Sequence, residues 1–224
     1  MKKLLLISSL FSSIFFSSAF SEIKIGILFG FTGPIETLTP IMAESAELAF
    51  QEASDSELLL GGEKIVSVKA DSTCTNPDAA SEAAKKIFNE NVAAIVGAIC
   101  LEETKMILSK SNFSNKIALI SPAASFPSLK DLQRKNFFYR IGTSDNRGGQ
   151  ILADITKDKK IKKIAIIHAN DDYGKNLVKV YKPAIEKKGI MITTILDHEN
   201  EKKDYSSEVA TLASAGGDLS LIHI

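Results

Sequence analysis

From Glu22 onward the chain alternates short apolar runs with amphipathic stretches of helical period, and no other feature restricts its fold as tightly. A strand, a helix and a second strand in series build a parallel sheet, because the helix carries the chain back before the next strand begins. Ile23 to Phe29 reads as a buried strand, followed by the turn Gly30-Phe31-Thr32-Gly33-Pro34. Thr39 offers an N-cap and Pro40 the first helical position. Met42, Ala46, Ala49, Phe50 and Ala53 then share one helical face, opposite Glu44, Glu47 and Glu52. Gly61-Gly62 punctuates before a strand from Ile65 to Ala70. Asn76-Pro77 opens a helix whose apolar face is Ala80, Ala83, Ala84, Ile87 and Phe88. Ala93 to Ile99 reads as the third strand, Glu102 to Phe113 as a helix, and Ile117 to Ile120 as the fourth strand.

Phe137 to Ile141 is a short strand or crossover, after which the pattern restarts. Ile151, Leu152 and Ile155 mark a helix, and Lys163 to His168 a strand. Asp172 to Lys188 is a helix ended by Gly189 and expected to kink at Pro183. Met191 to Leu196 is a strand, and Tyr205, Val209 and Leu212 line a last helix stopped by Gly216-Gly217. The expected fold is therefore α/β with two lobes, parallel sheets flanked by helices. The first lobe spans 22–142, and the second, incomplete lobe spans 143–218. Residues 219–224, Leu-Ser-Leu-Ile-His-Ile, resemble the translation of a transposon-derived sequencing adapter and read as an artificial tail on a truncated chain.

The first 21 residues have a different character. Lys2 and Lys3 form a basic start, and Leu4 to Phe16 is a mainly apolar run broken by serines. Ala19 and Ser21 then stand at −3 and −1 of a cleavage site, so 1–21 reads as a signal peptide rather than a membrane span. The mature chain is expected in the periplasm. Acidic and basic side chains number 27 each, so charge gives no argument for nucleic acid or an anionic membrane as partner. Two cysteines, Cys74 and Cys100, each follow a predicted strand. An even count in an oxidising compartment, at one sheet edge, points to a disulfide. The alternatives are a zinc site or a catalytic thiol. Zinc asks for four ligands, and neither cysteine has CxxC spacing or a histidine nearby.

Several short segments recur in a telling order. Ile25-Gly26-Ile27 leads to Thr32-Gly33-Pro34, and Asp71-Ser72-Thr73-Cys74 follows. Then come Ile95-Val96-Gly97-Ala98-Ile99-Cys100, Ile120-Ser121-Pro122-Ala123-Ala124-Ser125 and His168-Ala169-Asn170-Asp171-Asp172-Tyr173-Gly174. In this order, behind a signal peptide, they resemble the leucine/isoleucine/valine-binding protein family of type I periplasmic solute receptors. The resemblance runs from Ile23 to Asp218. It implies two lobes joined by hinge strands, a solute held between them, and a bridge between Cys74 and Cys100. It also implies an ABC importer: the protein would bind an amino acid, branched-chain or related, as a monomer and dock on a membrane permease. The Ala123 carbonyl would meet the ligand amino group, Ser125 the zwitterionic end, and Tyr173 would close from the second lobe. Ala124 belongs to the same loop. Leu101 stands where the family commonly has a hydroxyl residue, leaving its backbone N–H for the ligand carboxylate. Leu38 likewise alters the expected pocket wall. Glu102 and Glu103 either complement a helix N-terminus or favour a cationic group.

Other classes fit less well. Gly26, Gly30 and Gly33 do not have GxGxxG spacing, and no nicotinamide or other cofactor is called for. Ser121, His168 and Asp171 could be imagined as a triad, but no GxSxG elbow surrounds the serine. His168 ends a strand and reads as structural, and no metal cluster emerges. An enzyme is not expected. A membrane sensor whose ectodomain shares this fold is the alternative reading.

Overall fold

The computed structural model describes residues 22–56, 58–59, 62–109, 117–130, 137–200 and 202–222. The expected leader, the far end of the third helix at Phe113 and the histidine at 223 lie outside the described residues. Strands β1 (Glu22–Phe29), β2 (Lys64–Asp71), β3 (Ala94–Gly97), β4 (Ala118–Ser121) and β5 (Phe138–Arg140) form one parallel sheet in the order β2-β1-β3-β4-β5. The chain steps from β1 to β2 on one side, then back to β3 on the other. Sheet order therefore reverses beside β1, where open α/β sheets form a crevice at the carboxyl edge of their strands.

Alternation along β1 sends its side chains to two different layers. Ile27 and Phe29 pack with Ala43 of α1 (Thr39–Asp55) on one face. Leu28 joins Ile87 of α2 (Pro77–Asn89) and Leu101 and Ile107 of α3 (Leu101–Ser109) on the other. Fully burying each such side chain stabilises the fold by about 1.5–3 kcal/mol, so losing either helix layer would cost more than a domain can spare. The side chain of Asn76 caps α2 by accepting from the N–H groups of Asp78 and Ala79.

After β5, α4 (Asp145–Asp158) leads into a second sheet. Its members are β6 (Lys163–Ala169), β7 (Met191–His198) and β8 (Leu219–Ile222), parallel and ordered β7-β6-β8. Ala153 of α4, Ile164 and Ile166 of β6, and Ile185 of α5 (Asp172–Lys187) form its core. α5 continues through Pro183. Helix α6 (Ser206–Ala215) contributes no buried residue. Among the described residues no helix is long and apolar enough to cross a membrane.

Two local expectations change. Thr39 does not cap α1 with its side chain; it is the first helical residue, and its buried hydroxyl donates to the Gly30 carbonyl at 2.8 Å. α1 meets the sheet through Thr39, Met42, Ala43, Ala46 and Phe50, which leaves Ala49 exposed. The segment Leu219–Ile222 pairs along β6, Ile164 opposite Leu219 and Ile166 opposite Leu221, because its apolar residues suit the slot beside a buried strand.

Candidate functional site

Because the first sheet is wholly parallel, all its carboxyl ends lie at one edge, and the loops that follow β1, β2, β3 and β4 gather there. Their own polar groups hold them in place. Asp71, the last residue of β2, accepts from the N–H groups of Phe31 (2.8 Å) and Thr73 (2.9 Å) and from the Thr32 hydroxyl (2.6 Å). Burial works against its charge. The Thr32 hydroxyl and the N–H groups of Thr73, Thr32 and Phe31 outweigh burial and hold the carboxyl below its usual range. Gly33, at φ +93°, lies directly against the Thr73 carbonyl, a position where a side chain would collide with backbone.

Ser121 ends β4 and is fully buried. Its hydroxyl donates to the Ala98 carbonyl and accepts from the Ala124 N–H at 3.0 Å. One side chain thus fastens the loop after β3 to the loop after β4. It also makes Ser121 a structural clamp rather than a nucleophile. Gly97, at φ +133°, sits against the Leu28 carbonyl, so the loop after β3 starts from a conformation that only glycine adopts without strain. Within the clamped segment Ala123 is exposed, Ser125 partly buried and the Ala124 side chain fully buried, so Ala124 offers only backbone.

Cys74 and Cys100 form a disulfide with a Cα–Cα distance of 5.6 Å, tying the loop after β2 to the start of α3. Leu101, the first residue of α3, points its side chain into the core and is 4% exposed. The N–H groups of this first turn have no intrahelical partner, which together with the helix dipole favours an anion. Glu102 pairs with Lys105 at 2.7 Å on the surface. Glu103 turns inward and is 2% exposed. Burial pushes its carboxyl up to about 7, against the Ser72 hydroxyl and the Cys74 N–H, while nearby Asp71 adds to the rise.

From the second lobe, Tyr173 reaches the same edge. Asp171 caps α5 by accepting from the Gly174 N–H at 2.8 Å, which fixes Tyr173 in the first turn. Its ring meets Phe126 edge-on, with centroids 5.4 Å apart and planes at 77°. Such a pair contributes about 0.5–1.5 kcal/mol beyond area burial. Tyr173 remains 39% exposed. Burial raises its hydroxyl pKa, helped by Asp145, Tyr181 and Asp171. Beside it the Asp145 N–H donates to the Ser125 carbonyl at 2.9 Å, a second link between the lobes.

The expected residues Ala123, Ala124, Ser125 and Tyr173 therefore belong to one neighbourhood through Phe126 and Asp145, with Leu101 at the adjoining helix start. Phe126 was not singled out from the sequence, although it directly follows the Ser121–Ser125 segment. Arg140, which donates to the Phe126 carbonyl at 2.8 Å, was also not singled out and carries no local signal. His168 is buried in β6 with Nδ1 at 2.8 Å from the Ala169 carbonyl. Among the described residues, Cys74, Cys100 and Glu103 have metal-ligand spacing, but the two sulfurs are bonded to each other. Two grooves flank the edge strand β2, one lined by Glu47, Phe50 and Ser67 and the other by Val68, Ala83 and Glu90. Both run along helix–sheet seams rather than at the carboxyl edge.

The sequence profile of the family described as periplasmic binding protein matches residues 22–223. The chain is 31% identical over 208 residues to a Leu/Ile/Val-binding protein homolog of Brucella melitensis, covering 92% of this chain and 55% of the relative. It therefore spans about half the length of the curated relatives it matches. Among solved structures, it is similar to a branched-chain amino acid transporter substrate binding protein of Streptococcus pneumoniae in complex with isoleucine. There the TM-score is 0.77 at 20% identity, over 90% of this chain and 57% of that one. A solute binding protein of an ABC transporter from R. palustris in complex with benzoate gives a TM-score of 0.77 at 18% identity, over 91% of this chain and 56% of that one. At these identities the structural likeness establishes the fold.

Proposed function

The chain belongs to the periplasmic binding protein family, and we propose that the whole protein captures a small amino-acid-like solute between two α/β lobes and presents it, unaltered, to the membrane permease of an ABC importer. The observation that carries this reading is the meeting of Tyr173 with Phe126, directly beside the loop that Ser121 clamps. A carboxylate suits the free N–H groups at the start of α3, with Leu101 contributing backbone only. The ammonium group suits the Ala123 carbonyl, with the Ala124 backbone in the same loop. The Ser125 hydroxyl meets the zwitterionic end, and the Tyr173 ring covers the solute side chain.

Rigid loops on one lobe and an aromatic arm on the other fit capture by closure. Contacts made only in the closed state shift the population toward it when solute is present. The protein works as a monomer, exported to the periplasm by cleavage after Ser21. A solute at a hundredfold excess over its Kd stabilises the protein by about 2.7 kcal/mol. Melting temperatures of the full-length mature protein with a panel of amino acids, amides and small aromatic carboxylates test the reading. A rise with at least one amino acid or amide is expected. No rise with any of these, or a rise with aromatic carboxylates alone, would sink the amino-acid assignment.

A further inference from the structure

Beside the Cys74–Cys100 bridge lies a carboxyl that the solute site does not use. Glu103 is 2% exposed and Ser72 fully buried; the Ser72 hydroxyl and the Cys74 N–H lie beside the carboxyl, but Glu103 Oε1 makes no hydrogen bond of good geometry. The other carboxylate oxygen, Oε2, stands 3.7 Å from Cys74 Sγ. One ligand atom from each of Cys74, Cys100 and Glu103 lies within 4.8 Å of the others. Tetrahedral zinc with thiolate ligands at about 2.3 Å places neighbouring sulfurs about 3.8 Å apart, so a small separation of the two sulfurs reaches that geometry. An apolar residue would fill the Glu103 position without leaving a buried oxygen unsatisfied.

We propose that Cys74, Cys100 and Glu103 form a redox-gated site for zinc or a similar thiophilic divalent cation, open only when the bridge is reduced. A dithiol reductant gives two electrons to the disulfide: its own thiols become a disulfide, and Cys74 and Cys100 become thiols. Both cysteines are partly exposed, so a reductant can reach them. The cation then binds both sulfurs as thiolates and releases their two protons to solvent. A Glu103 carboxylate oxygen is the third ligand, and the Ser72 hydroxyl oxygen or a water completes four. The ion replaces the covalent tie between the loop after β2 and the start of α3, so this part of the carboxyl edge stays fastened in either redox state.

Cobalt(II) reports such a site through tetrahedral ligand-field bands and thiolate charge-transfer absorption. The mature protein is reduced with a phosphine, freed of reductant without air, and titrated with cobalt(II), then zinc. One cobalt per chain, displaced by zinc, is expected for the reduced wild type, with no bands for the oxidised protein and none for Cys74→Ser. Glu103→Gln should weaken cobalt binding at least tenfold while the far-ultraviolet circular dichroism of the oxidised variant matches wild type. Equal affinity in Glu103→Gln, equal affinity in urea-unfolded chain, or no bands in the reduced wild type would each overturn the proposal. If reduction unfolds the protein, recovery of the dichroism on adding zinc supports it and failure to recover refutes it.

Discussion

Ser121 shows how much one buried hydroxyl can organise. Its two hydrogen bonds connect loops that are far apart in sequence, and both partners sit away from water. Ser121→Ala leaves the Ala98 carbonyl and the Ala124 N–H without their partner, which costs about 1–3 kcal/mol. Urea denaturation should report that loss. A change within error would mean that the two loops hold themselves. The buried Glu103 carboxyl makes stability depend on pH. Its pKa is raised from 4.5 to about 7 in the fold, so folding favours its protonated form. The stability it permits is complete below its unfolded value near 4.5 and declines as pH rises through about 7. The loss is on the order of 3 kcal/mol at full effect. With the bridge intact and a chelator present, Glu103→Gln should remove this decline, so the difference between wild type and variant grows from pH 5 to pH 8. A constant difference over that range would show that Glu103 is ionised throughout.

At the scale of elements, the strand–helix order was legible in the sequence because each element carries its own period. The apolar run of β1 and the alanine-rich face of α2 are local patterns, and both are buried in the structure. The start of α1 was misread for a physical reason. A threonine before a proline carries the signature of a cap, but Thr39 spends its hydroxyl on Gly30, nine residues back, a contact that no local pattern encodes. Asp71 is similar: it holds a turn about 40 residues upstream, so its role emerges only when β1 and β2 lie side by side. In the candidate site, family resemblance points to the segment Ser121–Ser125 and Tyr173, whereas the contact of Tyr173 with Phe126 emerges only once both lobes are in place. The bridge belongs to this scale too. It closes a sequence separation of 26 residues, and removing it by Cys74→Ser with Cys100→Ser should cost about 3 kcal/mol. A matched urea midpoint for the double variant would contradict that estimate.

For the whole molecule, the first sheet supplies fixed loops and the second lobe supplies Tyr173. The two lobes share the Asp145–Ser125 and Tyr173–Phe126 contacts. Solute capture needs one rigid jaw and one that arrives, and this division fits. The most direct test is the affinity of the full-length protein for the solute that raises its melting temperature most, compared between wild type and Tyr173→Ala by calorimetric titration. Binding at least tenfold weaker is expected in the variant, with the urea unfolding midpoint lowered only by the modest loss of the Phe126 ring contact. Unchanged affinity would contradict it, because solute would then be held without the arm from the second lobe.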